Sequence, residues 1–351
     1  MGGNALKHLG TTRKSSDEYF SIAADVKSKL RQAFSGVTVM LIDSYSEKES
    51  FGDIDILISK DPLPANWLDV IKAEFKPQEI IDNLVVSFDY KGIQVDLIPT
   101  PMHEMNIAFT YYSFNDLGNL IGRIAHKMGL KYGHNGLWKV LREDTRVIAN
   151  ILVSDEPKEI FKFLGYNYER FNEGFDTLED IFVFAASTPY FHRDIFQLDN
   201  MNHVSRVRDA KRPTYTAFLK WIEDKPELDK YTWYPYSDQM LESSEKEAVK
   251  YEWLQKGLST FPDFKTKYNI AIREDALNLK FKKKWNGKLI GEVTGYTGKK
   301  LGFLVKWLTD PSPSFRDKIL EMTEVEIKDM IFKSLPIYES IWLGTEGEKV
   351  K

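Results

Sequence analysis

The chain has 351 residues, 42% of them hydrophobic, enough for two or three domains with their own cores. Formal net charge is −4, from 48 basic and 52 acidic side chains, which excludes nucleic-acid binding by overall charge and leaves only a local basic patch for it. The lack of cysteine excludes disulfides, thiolate zinc sites and a cysteine nucleophile, and it fits a reducing, cytoplasmic compartment. No apolar run is long enough to span a bilayer and the N-terminus lacks the apolar core of a signal peptide, so no membrane association is expected.

Ser15 and Glu18 make a capping box ahead of apolar residues at helical spacing, which predicts a helix over 15–34. The β-branched run VTVMLID (37–43) predicts a central strand. A polar loop, SYSEKESFG, leads to a strand over 53–59, and NWLDVIKAEF is a short helix. LVVSFDY and IQVDLIP are two strands joined at Lys91–Gly92. Residues 116–129 are helical, and LWKVLR and RVIANILV form a second hairpin turning at EDT. Beyond Pro157 the pattern is mostly helical. Strands early and helices late make the expected class α+β.

The strand over 53–59 carries Asp53 and Asp55 two residues apart. Residues i and i+2 of a strand share a face, so these carboxylates project together while Ile54, Ile56 and Ile58 pack behind them. Two carboxylates this close repel, and a divalent cation resolves the conflict; hard oxygen donors suit Mg²⁺. Asp96, in VDLIP, is the candidate third ligand from a neighbouring strand, with Asp89 as the fallback. Three such carboxylates can hold two metals roughly 3.5–4 Å apart. The plainer alternative is a Gly52–Asp53 turn followed by an edge-strand charge.

Ser44, FGDIDIL and VDLIP together resemble the palm of the nucleotidyltransferase superfamily, and more specifically of DNA polymerase beta and other family X polymerases. The resemblance implies that Asp53, Asp55 and Asp96 are the metal ligands, holding two Mg²⁺ ions, with Mn²⁺ as a substitute. It also implies that Ser44, Lys48 and Gly52 border the nucleotide. YYSFNDLGNLIGR is similar to the family's nucleotide-binding helix. On it Tyr112 would pack on the sugar, Asn119 would meet the base edge and Arg123 the template or primer, with Asp116 on the same helical face. An ordinary amphipathic helix is the alternative for that segment. Residues 136–171 follow the order of the family's thumb, and the likeness covers roughly residues 30–175. It implies a mixed-sheet palm flanked by helices over 1–135, a thumb-like hairpin and helices over 136–200, and a helical C-terminal domain over 201–351. The sequence departs from the family before Ser44, where Asp43 replaces glycine, and in the next loop. That loop lacks the triphosphate arginines and offers Glu47 and Lys48 instead. Nothing resembling the family's lyase segment precedes the palm-like part, so a base-excision role is not expected.

WNGKLIGEVTGYTGKKLGFLVKWL (285–308) is similar to the C-terminal part of bacterial tRNA nucleotidyltransferases, which implies phosphate contacts by Lys299 and Lys300; a helix-turn-helix that only packs the tail is the alternative. RVRDAKRPTY (206–215) is a second basic stretch. Arg206, Arg208, Lys211 and Arg212 are candidate backbone contacts with Tyr215 for stacking, or else a surface loop. The expected activity is transfer of a nucleoside monophosphate from an NTP or dNTP to a nucleic-acid 3′-hydroxyl, either RNA such as a tRNA 3′ end or a DNA primer in gap filling. A non-catalytic nucleotide- or nucleic-acid-binding protein on the same scaffold is the rival from another class, and transfer to a protein side chain is a further possibility.

Overall fold

A computed structural model of the chain describes residues 5–231 and 243–348. The chain divides into two compact units, one reaching Lys265 and the other starting at Thr266, so the expected boundaries at 135 and 200 both fall within the first unit.

After a single 3-10 turn (Lys7–Leu9), the first unit forms β1 (Lys14–Ser15) and α1 (Ser16–Ala33). The Ser15 hydroxyl accepts from the Glu18 amide while the Glu18 carboxylate accepts from the Ser15 amide, the reciprocal cap that the sequence predicts. There follow β2 (Val39–Leu41), β3 (Ser50–Phe51), β4 (Asp53–Ser59), α2 (Trp67–Phe75), β5 (Ile80–Asp82), β6 (Val86–Tyr90) and β7 (Ile93–Thr100). β1 pairs with β3. The other five strands form one mixed sheet ordered β2-β4-β7-β6-β5, in which β4 and β7 run parallel and the remaining pairs antiparallel. β6 turns into β7 through Lys91 and Gly92, whose φ angles of 49° and 74° suit a two-residue loop that follows the twist of the strands.

Both faces of this sheet are covered. Ile54, Ile56, Ile58, Val95 and Leu97 pack with Val26 and Leu30 of α1 and with Ile71 and Phe75 of α2. On the opposite face Leu57 and Ile98 pack against Met105 and Ala108 of α3 (Met105–Tyr112). Double coverage explains one departure from expectation. The run containing β2 is continuously apolar, yet β2 is an edge strand rather than a central one. Val39 and Leu41 serve the core on one face and Met40 the cluster on the other.

α4 (Leu117–Lys127) follows α3 closely. A Cβ on Gly118 would stand 2.2 Å from the Tyr111 carbonyl oxygen, so only glycine permits this approach. β8 (Lys131–Gly133), β9 (Gly136–Glu143) and β10 (Arg146–Ser154) make a separate antiparallel sheet, with Asp144 in its turn at φ 50°. Among the described residues, the first unit continues with helices α5 (Pro157–Phe163), α6 (Tyr168–Asn172), α7 (Leu178–Ala185), α8 (His203–Asp209), α9 (Pro213–Ile222) and α10 (Ser243–Thr260). α11 (Pro262–Lys284) carries the boundary. The second unit continues with α12 (Gly287–Thr294), α13 (Gly298–Leu308), α14 (Pro313–Glu321) and α15 (Glu324–Glu348) around Trp285, Ile290, Leu304, Ile319, Ile331 and Tyr338. The fold is thus α+β, a mixed sheet followed by a mainly helical C-terminal half. No helix among the described residues is long and apolar enough to cross a membrane.

Candidate metal and nucleotide site

The parallel pairing of β4 with β7 fixes the acidic cluster. Its register sets Asp55 opposite Asp96 and Asp53 opposite Gln94. Parallel neighbours at the same level share a face, so three carboxylates converge. One oxygen from each lies within 4.8 Å of the others. Asp89 is engaged elsewhere, its Oδ1 accepting from the Gln78 and Glu79 amides at 2.8 and 3.2 Å.

Asp96 is buried, and Gln94 Nε2 donates to both its oxygens at 2.8 and 3.0 Å. Burial pushes its carboxyl up, while hydrogen bonds from Ser87 and Gln94 act in the opposite sense. Asp55 is less well served. Its Oδ1 is enclosed and accepts no hydrogen bond. Burial, and then the charges of Asp53 and Asp96, push its pKa up to about 8. A sealed carboxylate oxygen without a donor, beside two further carboxylates, is a donor set that fits a hard divalent cation such as Mg²⁺ or Mn²⁺.

Asp53 and Asp55 line a cavity of about 900 Å³. Ser44, Lys48 and Gly52 line it as well. Ser44 Oγ and Lys48 Nζ both donate to Asn115 Oδ1, at 3.5 and 3.3 Å. Lys48 also lies 4.5 Å above the Phe51 ring, and burial holds its ammonium below the usual lysine range. Asn115 escaped the sequence reading. It and Phe114 adopt positive φ, 61° each, and the Phe114 amide donates to the Asp43 carbonyl at 2.8 Å. Asparagine tolerates this conformation but does not announce it.

Tyr112 stacks on His134 with centroids 5.7 Å apart and planes 14° apart, both at the cavity wall. Burial, followed by Tyr111 and Asp55, pushes the Tyr112 phenol up to about 12. Burial pulls the His134 imidazole below its ordinary range.

Asp116, Asn119 and Arg123 do share one face of α4, but that face is covered by the basic stretch 206–212. Arg212 pairs with Asp116, Arg208 Nη2 donates to Asn119 Oδ1 at 3.1 Å, and Arg123 pairs with Asp209. Arg123 is only 7% exposed and lies against Asp209 rather than pointing towards a bound strand. Asp116, Asn119, Lys211 and Arg212 line the cavity. Arg206 donates to the Met201 carbonyl at 3.3 Å. Tyr215, expected to stack on a base, is instead fully buried and donates to the Phe196 carbonyl at 2.7 Å. Lys299 and Lys300 open α13 in the second unit, where Lys300 Nζ sits 3.7 Å above the Tyr296 ring.

The N-terminal segment also reaches the cavity, through Lys7, Thr11, Thr12 and Arg13. Its only sequence signal was a basic pair, Arg13–Lys14, ahead of a capped helix. Compared with protein-family models and with curated proteins, the sequence matches none of them.

Proposed function

We propose that this protein is a metal-dependent nucleotidyltransferase that moves a nucleoside monophosphate from an NTP to a nucleic-acid 3′-hydroxyl. The observation that carries this reading is the convergence of Asp53, Asp55 and Asp96 beside a polar cavity large enough for a nucleotide. In the reaction the 3′-oxygen bonds to the α-phosphorus and the α-phosphorus–pyrophosphate bond breaks. Pyrophosphate leaves with the bonding electrons, and the hydroxyl proton would pass to the Asp96 carboxylate or to water. Asp53, Asp55 and Asp96 would hold Mg²⁺ or Mn²⁺, which supplies positive charge to the phosphates and acidity to the attacking hydroxyl. Gln94 and Ser87 keep Asp96 oriented and favour its ionised form. The Tyr112–His134 pair offers a flat surface to sugar and base. Asn119 Nδ2 is buried without a partner, which reserves a donor for a base edge.

The glycine-rich stretch 285–308 favours an RNA acceptor such as a tRNA 3′ end. The α4 match favours a primer–template DNA, but engagement of Arg123 by Asp209 weakens it. The test is incubation with Mg²⁺ or Mn²⁺, labelled NTPs or dNTPs, and either tRNA lacking its 3′ end or gapped DNA. Extension of one acceptor, lost in Asp96→Asn, supports the reading and chooses the acceptor. Retention of nucleic acid without incorporation would replace the enzyme with a binding protein, and label on polypeptide would move the acceptor to a side chain.

A further inference from the structure

We infer that the N-terminal segment is part of the nucleotide site and that Arg13, with Lys48, grips the β- and γ-phosphates of the substrate. This inference rests on the nucleotidyltransferase reading and deepens it. The loop between Ser44 and Gly52 offers one cation, Lys48, where a triphosphate carries several negative charges. The structure brings a second from elsewhere in the sequence.

Pairing of β1 with β3 sets Lys14 opposite Phe51 and Ser15 opposite Ser50, which places Arg13 alongside the loop. Arg13 Nε donates to Ser50 Oγ at 3.1 Å and Nη2 to the Ser50 carbonyl at 2.5 Å. Those bonds fix the plane of the guanidinium, and Nη1 then extends over Gly52. A Cβ on Gly52 would come within 3.2 Å of Nη1, so glycine at this position leaves the guanidinium its room. Arg13 and Lys48 both line the cavity and are near enough for Arg13 to disfavour the Lys48 charge. Two cations lining one cavity with Asp53 and Asp55 suit a polyanion, and a guanidinium fork suits phosphate oxygens. Lys7 adds a further positive charge on the same wall.

The segment is fastened to the acidic cluster itself. Leu6 is fully buried, and its amide donates to Gln94 Oε1 at 3.1 Å, while Nε2 of the same glutamine holds Asp96. The Thr12 amide donates to the Gly92 carbonyl at 3.0 Å and the Ser16 amide to the Glu49 carbonyl at 3.1 Å. One polar side chain thus ties the phosphate grip to the third carboxylate.

The experiment measures binding of inorganic tripolyphosphate, ATP and AMP, with Mg²⁺ present, to the whole 351-residue chain and to Arg13→Gln, Arg13→Lys and Gly52→Ala. Nucleotide transfer is assayed in parallel. We expect Arg13→Gln to weaken tripolyphosphate and ATP by about tenfold to a hundredfold, the loss of one charge-assisted contact, with AMP binding unchanged. Arg13→Lys recovers part of the loss, because charge returns without the fork. Gly52→Ala, whose Cβ crowds Nη1 at 3.2 Å without removing the guanidinium, moves ATP in the same direction by a smaller amount. Unchanged melting temperatures show that the variants fold. Wild-type affinity for ATP and tripolyphosphate in Arg13→Gln overturns the inference, and if transfer is intact it does so while the enzymatic reading stands. Tripolyphosphate binding that depends on Arg13, in a protein that transfers no nucleotide, keeps the grip and removes the enzyme. Failure of the wild type to bind tripolyphosphate overturns the grip outright.

Discussion

Asp55 shows how a single side chain can make a site unstable until it is filled. Its carboxyl is pushed up to about 8 by burial and by two acidic neighbours, from an ordinary value of 3.8. The folded protein therefore holds that proton more tightly than the unfolded chain does. The resulting stabilisation is complete below pH 3.8 and is lost as pH rises towards about 8. Metal-free protein should accordingly melt at progressively lower temperature as pH rises from 4 to about 8. Asp55→Asn, which has no proton to lose, should flatten that dependence, and Mg²⁺ should restore the wild type's melting temperature most at the alkaline end. Thermal melts across pH with and without Mg²⁺ check this, and an Asp55→Asn profile as steep as the wild type's would contradict it. Gln94 gives a second prediction. Replacing it with leucine leaves the Leu6 amide without its acceptor and Asp96 without its amide donor. The expected cost is about 1–3 kcal/mol, measurable by denaturant unfolding.

The elements around the site divide into those that local sequence announces and those that it does not. The strand over 53–59, the cap at Ser15 and the turn at Lys91–Gly92 lie where their residues put them, because alternation, capping chemistry and positive-φ tolerance are local properties. Convergence of the third carboxylate was legible too, since Asp96 sits among residues of strand character. What made it converge was a parallel register that no local pattern specifies. β2 lies at the sheet edge for the same reason: its apolar run reports coverage on both faces, not a position in the strand order. Gly118 in DLGNL reads as an ordinary helical glycine, yet it allows α3 and α4 to meet. Gly118→Ala drives a Cβ to 2.2 Å from a backbone oxygen, which cannot rotate away. We expect a loss of about 1–3 kcal/mol in unfolding free energy, together with weaker nucleotide binding because Tyr112 and Asn119 flank that contact.

Across the first unit, the contacts that shape the site join distant parts of the chain. Asp209 accepts from Arg123, 86 residues away, and Arg208 Nε donates to the same carboxylate at 2.8 Å. Both Arg123 and Asp209 are buried, so removing the acid leaves an arginine without its counter-charge in a low-dielectric setting. Asp209→Ala should cost about 3–5 kcal/mol, far more than removal of a surface pair, and chemical denaturation would measure it. The basic stretch 206–212 reads as nucleic-acid backbone contacts or as a surface loop, and a run of arginines carries no mark of Asp116 and Asn119, which it meets across the fold. The N-terminal segment carries no local signal of its role, for a similar reason. Its contribution depends on pairing with residues 50–51 and on an amide 88 residues from Gln94 in sequence.

The proposed function requires Asp53, Asp55 and Asp96 to bind divalent ions beside a nucleotide. Electron paramagnetic resonance titration of Mn²⁺ into the protein, in the presence of a nonhydrolysable NTP, tests it most directly. The wild type should take up about two ions at this centre, and the Asp55→Asn, Asp96→Asn double variant should lose them while retaining its fold. Equal Mn²⁺ uptake by wild type and double variant, or none by either, would rule out this metal centre.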